Sequence, residues 1–72
     1  MKIFSERLRL LRKQKGFTQE KMAEIIKLTP RNFRAYELNE ANPNLENLVA
    51  IADFFNVTID YLVGRSDEPE RR

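Results

Sequence analysis

Seventy-two residues allow one small domain, near the lower limit of what a single apolar core stabilises unaided. Cysteine and histidine are both absent, which excludes disulfides, thiol chemistry and the commonest general base and metal ligand. The net charge of +2 hides a gradient: residues 1–36 carry ten Lys or Arg against three Glu, and residues 37–72 three Arg against eight acids, so the first half is suited to face a polyanion.

The apolar spacing predicts helices from the start of the chain. Phe4, Leu8 and Leu11 recur at i, i+4, i+7, predicting an amphipathic helix over 3–15 that stops at Gly16. Ile3 and Leu10 form a second apolar line beside them, expected to widen the buried face. Thr18 is a good N-cap, Glu20 falls in the first turn, and Met22, Ala23 and Ile26 give the inward face of a short helix over 19–26. Thr29 caps the next helix, 30–37, with Pro30 at its first position, where a missing N–H costs nothing. Phe33 and Tyr36, three apart, face the core.

Residues 38–43, LNEANP, read as a loop. Asn44 caps a fourth helix with Leu45, Leu48, Ala52 and Phe55 at core spacing, and Thr58 starts a last short helix through Val63, stopped by Gly64. The segment RSDEPERR, 65–72, is polar, lacks an apolar anchor and is expected to be a disordered tail. No stretch reads as a strand, and no apolar run approaches the roughly 18 residues that a membrane span needs. The expected fold is an all-α, compact five-helix domain.

Two short helices, 19–26 and 30–37, separated by about three residues form a helix-turn-helix arrangement. The run T18-Q19-E20-x-x-A23-E24-x-x-x-L28-T29-x-x-x-F33-x-x-Y36-E37, followed by N42-P43-x-L45-x-x-L48, resembles the Cro and phage-repressor (XRE) type of helix-turn-helix protein. FNVTIDYLVG at 55–64 is similar to that family's closing helix, so the resemblance covers about residues 4–64. It implies a lambda-repressor-like DNA-binding domain over 1–64, with helix 30–37 in the major groove of double-stranded DNA.

Residue by residue, the resemblance implies that Ala23 is small because the two helices cross there, and that Phe33 plugs the core between them. Gln19 would brace a phosphate or a base from the start of its helix. Arg31 suits a bidentate contact to guanine, Asn32 adenine or a phosphate, Arg34 a phosphate and Ala35 a thymine methyl, whereas Pro30 supplies shape only. Lys13 and Lys15 would add non-specific phosphate attraction. Arg12 is expected to pair with Glu37 inside the domain.

The chain departs from the family pattern twice. Lys27 stands where the family typically has Gly in the hinge. A positive φ is expected there, with modest strain and a positive charge close to DNA. The loop Leu38, Asn39, Glu40, Ala41 replaces the Asn-Gly and basic residue that often grip the backbone, leaving Asn39 and Asn42 as hydrogen-bonding candidates and Glu40 to repel phosphate.

The function implied is a sequence-specific transcriptional regulator, a repressor, acting as a homodimer on a two-fold operator in the cytoplasm. It would be bacterial or phage-encoded and nucleoid-associated. Phe54, Ile59, Tyr61 and Leu62 offer apolar material for a dimer contact or for the core. The alternative is a protein-interaction module on the same scaffold, such as an antitoxin or an antagonist of another regulator. An enzyme has no support in these residues, and no cofactor, metal, membrane or small-molecule substrate is implied.

Overall fold

The structure, a computed structural model, describes residues 1–71; Arg72, the last residue of the expected tail, lies outside the described residues. The fold is all-α, with five helices and no strand among the described residues: α1 (Lys2–Lys15), α2 (Gln19–Ile25), α3 (Pro30–Glu37), α4 (Leu45–Phe55) and α5 (Ile59–Leu62). The helix bounds follow the sequence expectation to within a residue.

Local chemistry sets both ends of these helices. Four of the five start on a side-chain cap: the Thr18, Thr29 and Thr58 hydroxyls accept from the N–H groups of Lys21, Asn32 and Tyr61, and Asn44 Oδ1 accepts from that of Asn47. Each cap satisfies an N–H that the helix itself cannot pair.

All five end on a left-handed residue: Gly16 (φ 74°), Lys27 (59°), Asn39 (60°), Asn56 (55°) and Gly64 (86°). At every one, the N–H of the left-handed residue donates to the carbonyl three residues back, and the next N–H to the carbonyl five back. This double closure is the Schellman arrangement, which consumes carbonyls left unpaired at a helix end. In three cases the following residue, Phe17, Leu28 or Val57, is apolar and turns into or against the core.

Phe4 and Leu8 from α1, Met22 and Ala23 from α2, and Phe33 and Tyr36 from α3 are buried together with Ile51, Ala52 and Phe55 from α4, Val57, and Leu62 from α5. Ala23 is fully buried beside α3, where a larger side chain would hold the two helices apart. Tyr36 meets Phe4 edge to face at 6.2 Å, a favoured aromatic geometry.

Three expected core residues are on the surface. Ile3 and Leu10 are 46% and 49% exposed. At roughly 100° per residue they lie about 120–140° around α1 from the middle of the Phe4–Leu8 stripe, and Ile3 rests against Gly64 at the end of α5. Leu45 is 72% exposed because it opens α4, a turn before the packing that begins at Leu48. Conversely, Leu62 belongs wholly to the core, and Phe54, Ile59 and Tyr61 are half-buried against it.

Residues 65–71 are tied to the helices by polar contacts. Arg7 donates to the carbonyls of Tyr61 and Ser66 and to Asp67 Oδ1, and its guanidinium lies 4.1 Å from the Tyr61 ring centre. The Thr58 N–H donates to the Pro69 carbonyl, and Arg71 donates to the Val57 carbonyl and to Asp53. Such anchors are invisible to a search for apolar residues.

With so little core, each large side chain counts. Phe33→Ala, at a fully buried site, is expected to cost about 3–5 kcal/mol. A chain of this size has about 4–11 kcal/mol in total, so the urea midpoint followed by circular dichroism should fall by at least about a quarter.

Candidate nucleic-acid interface

The four residues 26–29 connect α2 to α3, and Lys27 carries the positive φ expected of the hinge. Leu28 then turns inward and Thr29 caps α3. This short, closed connection leaves α3 little freedom to swing relative to α2.

One face of α3 is fixed inside the domain. Phe33 is fully buried, Tyr36 nearly so, and the Glu37 side chain is 1% exposed. A carboxylate so deep must have every oxygen satisfied. Arg12 Nε donates to Glu37 Oε2 at 2.6 Å, while Arg12 Nη2 and Gln19 Nε2 donate to Oε1 at 3.1 and 2.9 Å. The third guanidinium nitrogen of Arg12 donates to the Phe17 carbonyl at 2.8 Å. The pair expected between Arg12 and Glu37 is present, and Gln19 makes it a link among α1, α2 and α3.

Further donors converge on the same turn. Buried Ser5 donates to the Tyr36 carbonyl at 2.6 Å, Arg9 to the Glu37 carbonyl at 3.0 Å, and Asn47 on α4 to the Tyr36 hydroxyl at 3.1 Å. Among the described residues no buried side-chain nitrogen or oxygen lacks a partner. Apolar periodicity gives no sign of the donors Ser5, Arg9 and Asn47; only the polar Ser5, between Phe4 and Leu8 on the buried side of α1, hints at one.

The other face of α3 is open. Pro30, Arg31, Asn32 and Arg34 are exposed and Ala35 is half-buried. No ion pair among the described residues engages Lys27, Arg31 or Arg34, so their charges are not neutralised by neighbouring acids. Lys13 and Lys15 at the end of α1 are likewise exposed and unpaired. The arrangement presents guanidinium and amide donors from one rigid helix, the equipment for hydrogen bonds to base edges and phosphates.

Gln19 and Asn39 are placed differently from these. Gln19 is half-buried, with one amide N–H committed to Glu37. Asn39 closes α3 in the left-handed conformation, and its Oδ1, like that of Asn42, accepts from the Met1 amino group at 2.9–3.0 Å. Both side chains keep N–H groups for another partner. A surface depression of about 300 Å³ lined by Thr58, Asp60, Ser66, Glu68 and Glu70 shares no residue with α3. Its three carboxylates make it unsuited to an anionic ligand.

Residues 5–68 match the family described as "Helix-turn-helix domain". The chain belongs to the XRE-type helix-turn-helix family.

Relatives within this helix-turn-helix family include the cryptic phage CTXphi transcriptional repressor RstR of Vibrio cholerae serotype O1, 45% identical over 65 residues, covering 90% of this chain and 57% of RstR. Two Bacillus subtilis proteins named as uncharacterized HTH-type transcriptional regulators also match. YqaE is 40% identical over 67 residues (92% of this chain, 58% of YqaE) and YobD 35% over 68 residues (94% and 61%). The chain thus spans about three fifths of the length of the curated relatives it matches. No solved structure matches it. These relatives are named as regulators of transcription, not as enzymes. Among the described residues no helix is long and apolar enough to cross a membrane.

Removing one partner of the Arg12–Glu37 pair would strand the other in the interior. Arg12→Ala is expected to cost about 3–5 kcal/mol. In a double-mutant cycle with Glu37→Ala, the combined loss should be well below the sum of the two single losses, measured by urea denaturation.

Proposed function

We propose that this domain binds double-stranded DNA with the exposed face of α3 in the major groove and regulates transcription, most simply as a repressor. The observation that carries this reading is the split of α3 into two faces. Phe33, Tyr36 and Glu37 hold the helix from behind, and Arg31, Asn32 and Arg34 stand exposed in front. RstR, to which the chain is similar along nearly its whole length, is named a transcriptional repressor.

In this reading Arg31 donates two hydrogen bonds to guanine O6 and N7, and Asn32 pairs with adenine or a phosphate. Ala35, half-buried at the edge of the face, meets a thymine methyl. Arg34 reaches a phosphate, joined by the remaining N–H groups of Gln19 and Asn39. Lys13 and Lys15 supply sequence-independent attraction. The acids of the second half lie mostly on α4, α5 and the segment after them, in elements other than the reading helix.

One such helix reads only a few base pairs, too few to pick out a site in a genome. The domain therefore acts as a homodimer on a two-fold operator, with half-sites about 34 Å apart. The bacterial and phage origin of its relatives favours the cytoplasm of a bacterium, on the nucleoid or on phage DNA, as the place of action.

Selection of bound sequences from randomised duplex DNA tests the reading. The expected product is a two-fold-related motif with half-site centres about one helical turn apart, bound with an affinity that falls steeply with salt. No enriched sequence and no salt dependence would overturn it. On the selected site, Arg31→Ala should cost about 1–3 kcal/mol and relax preference at a single base pair. Arg34→Ala should weaken all sequences alike and reduce the salt slope by about 1.

A further inference from the structure

Five helices close here on the same pair of backbone hydrogen bonds, and the residue at the left-handed position is Gly16, Lys27, Asn39, Asn56 and Gly64 in turn. Glycine meets no steric penalty in this conformation, and asparagine tolerates it because its short amide bonds locally. Four of the five sites thus carry a residue suited to the backbone. The fifth, Lys27 at φ 59°, lies between the two helices of the helix-turn-helix.

Nothing within the domain rewards a lysine at this place. Its side chain is exposed and makes neither a hydrogen bond nor an ion pair among the described residues. Its backbone N–H donates to the Glu24 carbonyl, a bond that glycine or asparagine would make equally well. A cation near the end of α2 gains a little from the helix dipole, but an exposed one at the end of a seven-residue helix gains least. The closest exposed basic residue along the chain is Arg31, in the first turn of α3 on the face proposed to read bases.

We propose that Lys27 is a phosphate-binding residue of the hinge, where backbone strain is retained for the sake of a positive charge. The proposal rests on the reading of α3 as a DNA-binding helix and adds a site to it. The ligand is a backbone phosphate of the bound duplex beside the groove that α3 enters. A lysine is a point charge on a flexible stem, so the contact contributes affinity to every sequence and selects none.

The two halves of the proposal have opposite signs, and three variants separate them. Lys27→Gly and Lys27→Asn remove the charge and suit the left-handed backbone; Lys27→Arg keeps the charge and the strain. Thermal melting of each variant is compared with salt titrations of its binding to a duplex recovered by selection with the unaltered chain. Lys27→Gly is expected to raise Tm by about 4–8 °C. It should also lower the slope of log affinity against log salt by about 0.9, a loss of roughly tenfold at about 50 mM salt that shrinks towards 1 M. Lys27→Asn should move both quantities in the same directions, and Lys27→Arg neither.

If the unaltered chain shows no salt-dependent binding to duplex DNA, the reading of α3 fails and this proposal with it. If the unaltered chain binds and Lys27→Gly keeps its salt slope, the phosphate contact alone is overturned. A fall in Tm for Lys27→Gly would show that the lysine serves the fold, which also contradicts the proposal.

Discussion

The Glu37 carboxylate is the interaction on which the rest of this domain depends. It is buried at the end of α3 and takes hydrogen bonds from Arg12 on α1 and Gln19 on α2. Burying a charge is costly unless it is paired and fully hydrogen-bonded, so the helices that supply those donors are held in one arrangement. Apolar packing around Phe4, Phe33 and Met22 would tolerate small slides of one helix over another; a bidentate guanidinium–carboxylate contact does not. Ser5, Arg9 and Asn47 add donors to the same turn, so the last turn of α3 is tied to α1, α2 and α4. The result is a helix whose pose is fixed from one side, which leaves the other side free for recognition.

Polar lock and exposed cations therefore divide α3 between them. The lock uses the acid of the helix and leaves Arg31 and Arg34 without internal partners. In a domain this small the total stability is modest, and strain at a single residue such as Lys27 is a sizeable fraction of it. A polar lock compensates for limited core volume by specificity of arrangement more than by net energy, because replacing buried ion pairs by apolar residues is often neutral.

The helix limits were readable in the sequence because short-range chemistry writes them. A hydroxyl or amide stands before four of the five helices, and a left-handed residue follows each. The hinge was readable even though its residue is not glycine, since the spacing from Thr18 to Thr29 and the inward residues Ala23, Leu28 and Phe33 define it. Less was readable about how wide each buried face is. Ile3, Leu10 and Leu45 have apolar side chains at plausible spacing and lie on the surface, because burial depends on the arc that a neighbouring helix covers. The polar anchoring of 65–71 escaped for a related reason: arginine contacts to backbone carbonyls follow no periodicity. Of the site, the exposed residues of α3 followed from the positions of Phe33 and Tyr36. The tie of Gln19 to Glu37 and the acceptance of the Met1 amine by Asn39 required the three-dimensional arrangement.

The central claim is that α3 is held by Glu37 on one face and meets DNA with the other. A titration of the isotope-labelled chain with a selected duplex, followed by backbone amide chemical shifts, tests it most directly. The account predicts that the largest shifts run through Lys27–Ala35 and the start of α2, and that amides of α5 and of residues 65–71 stay in place. Shifts centred on α5 and the acidic segment after it, with Arg31 to Arg34 unchanged, would contradict the account.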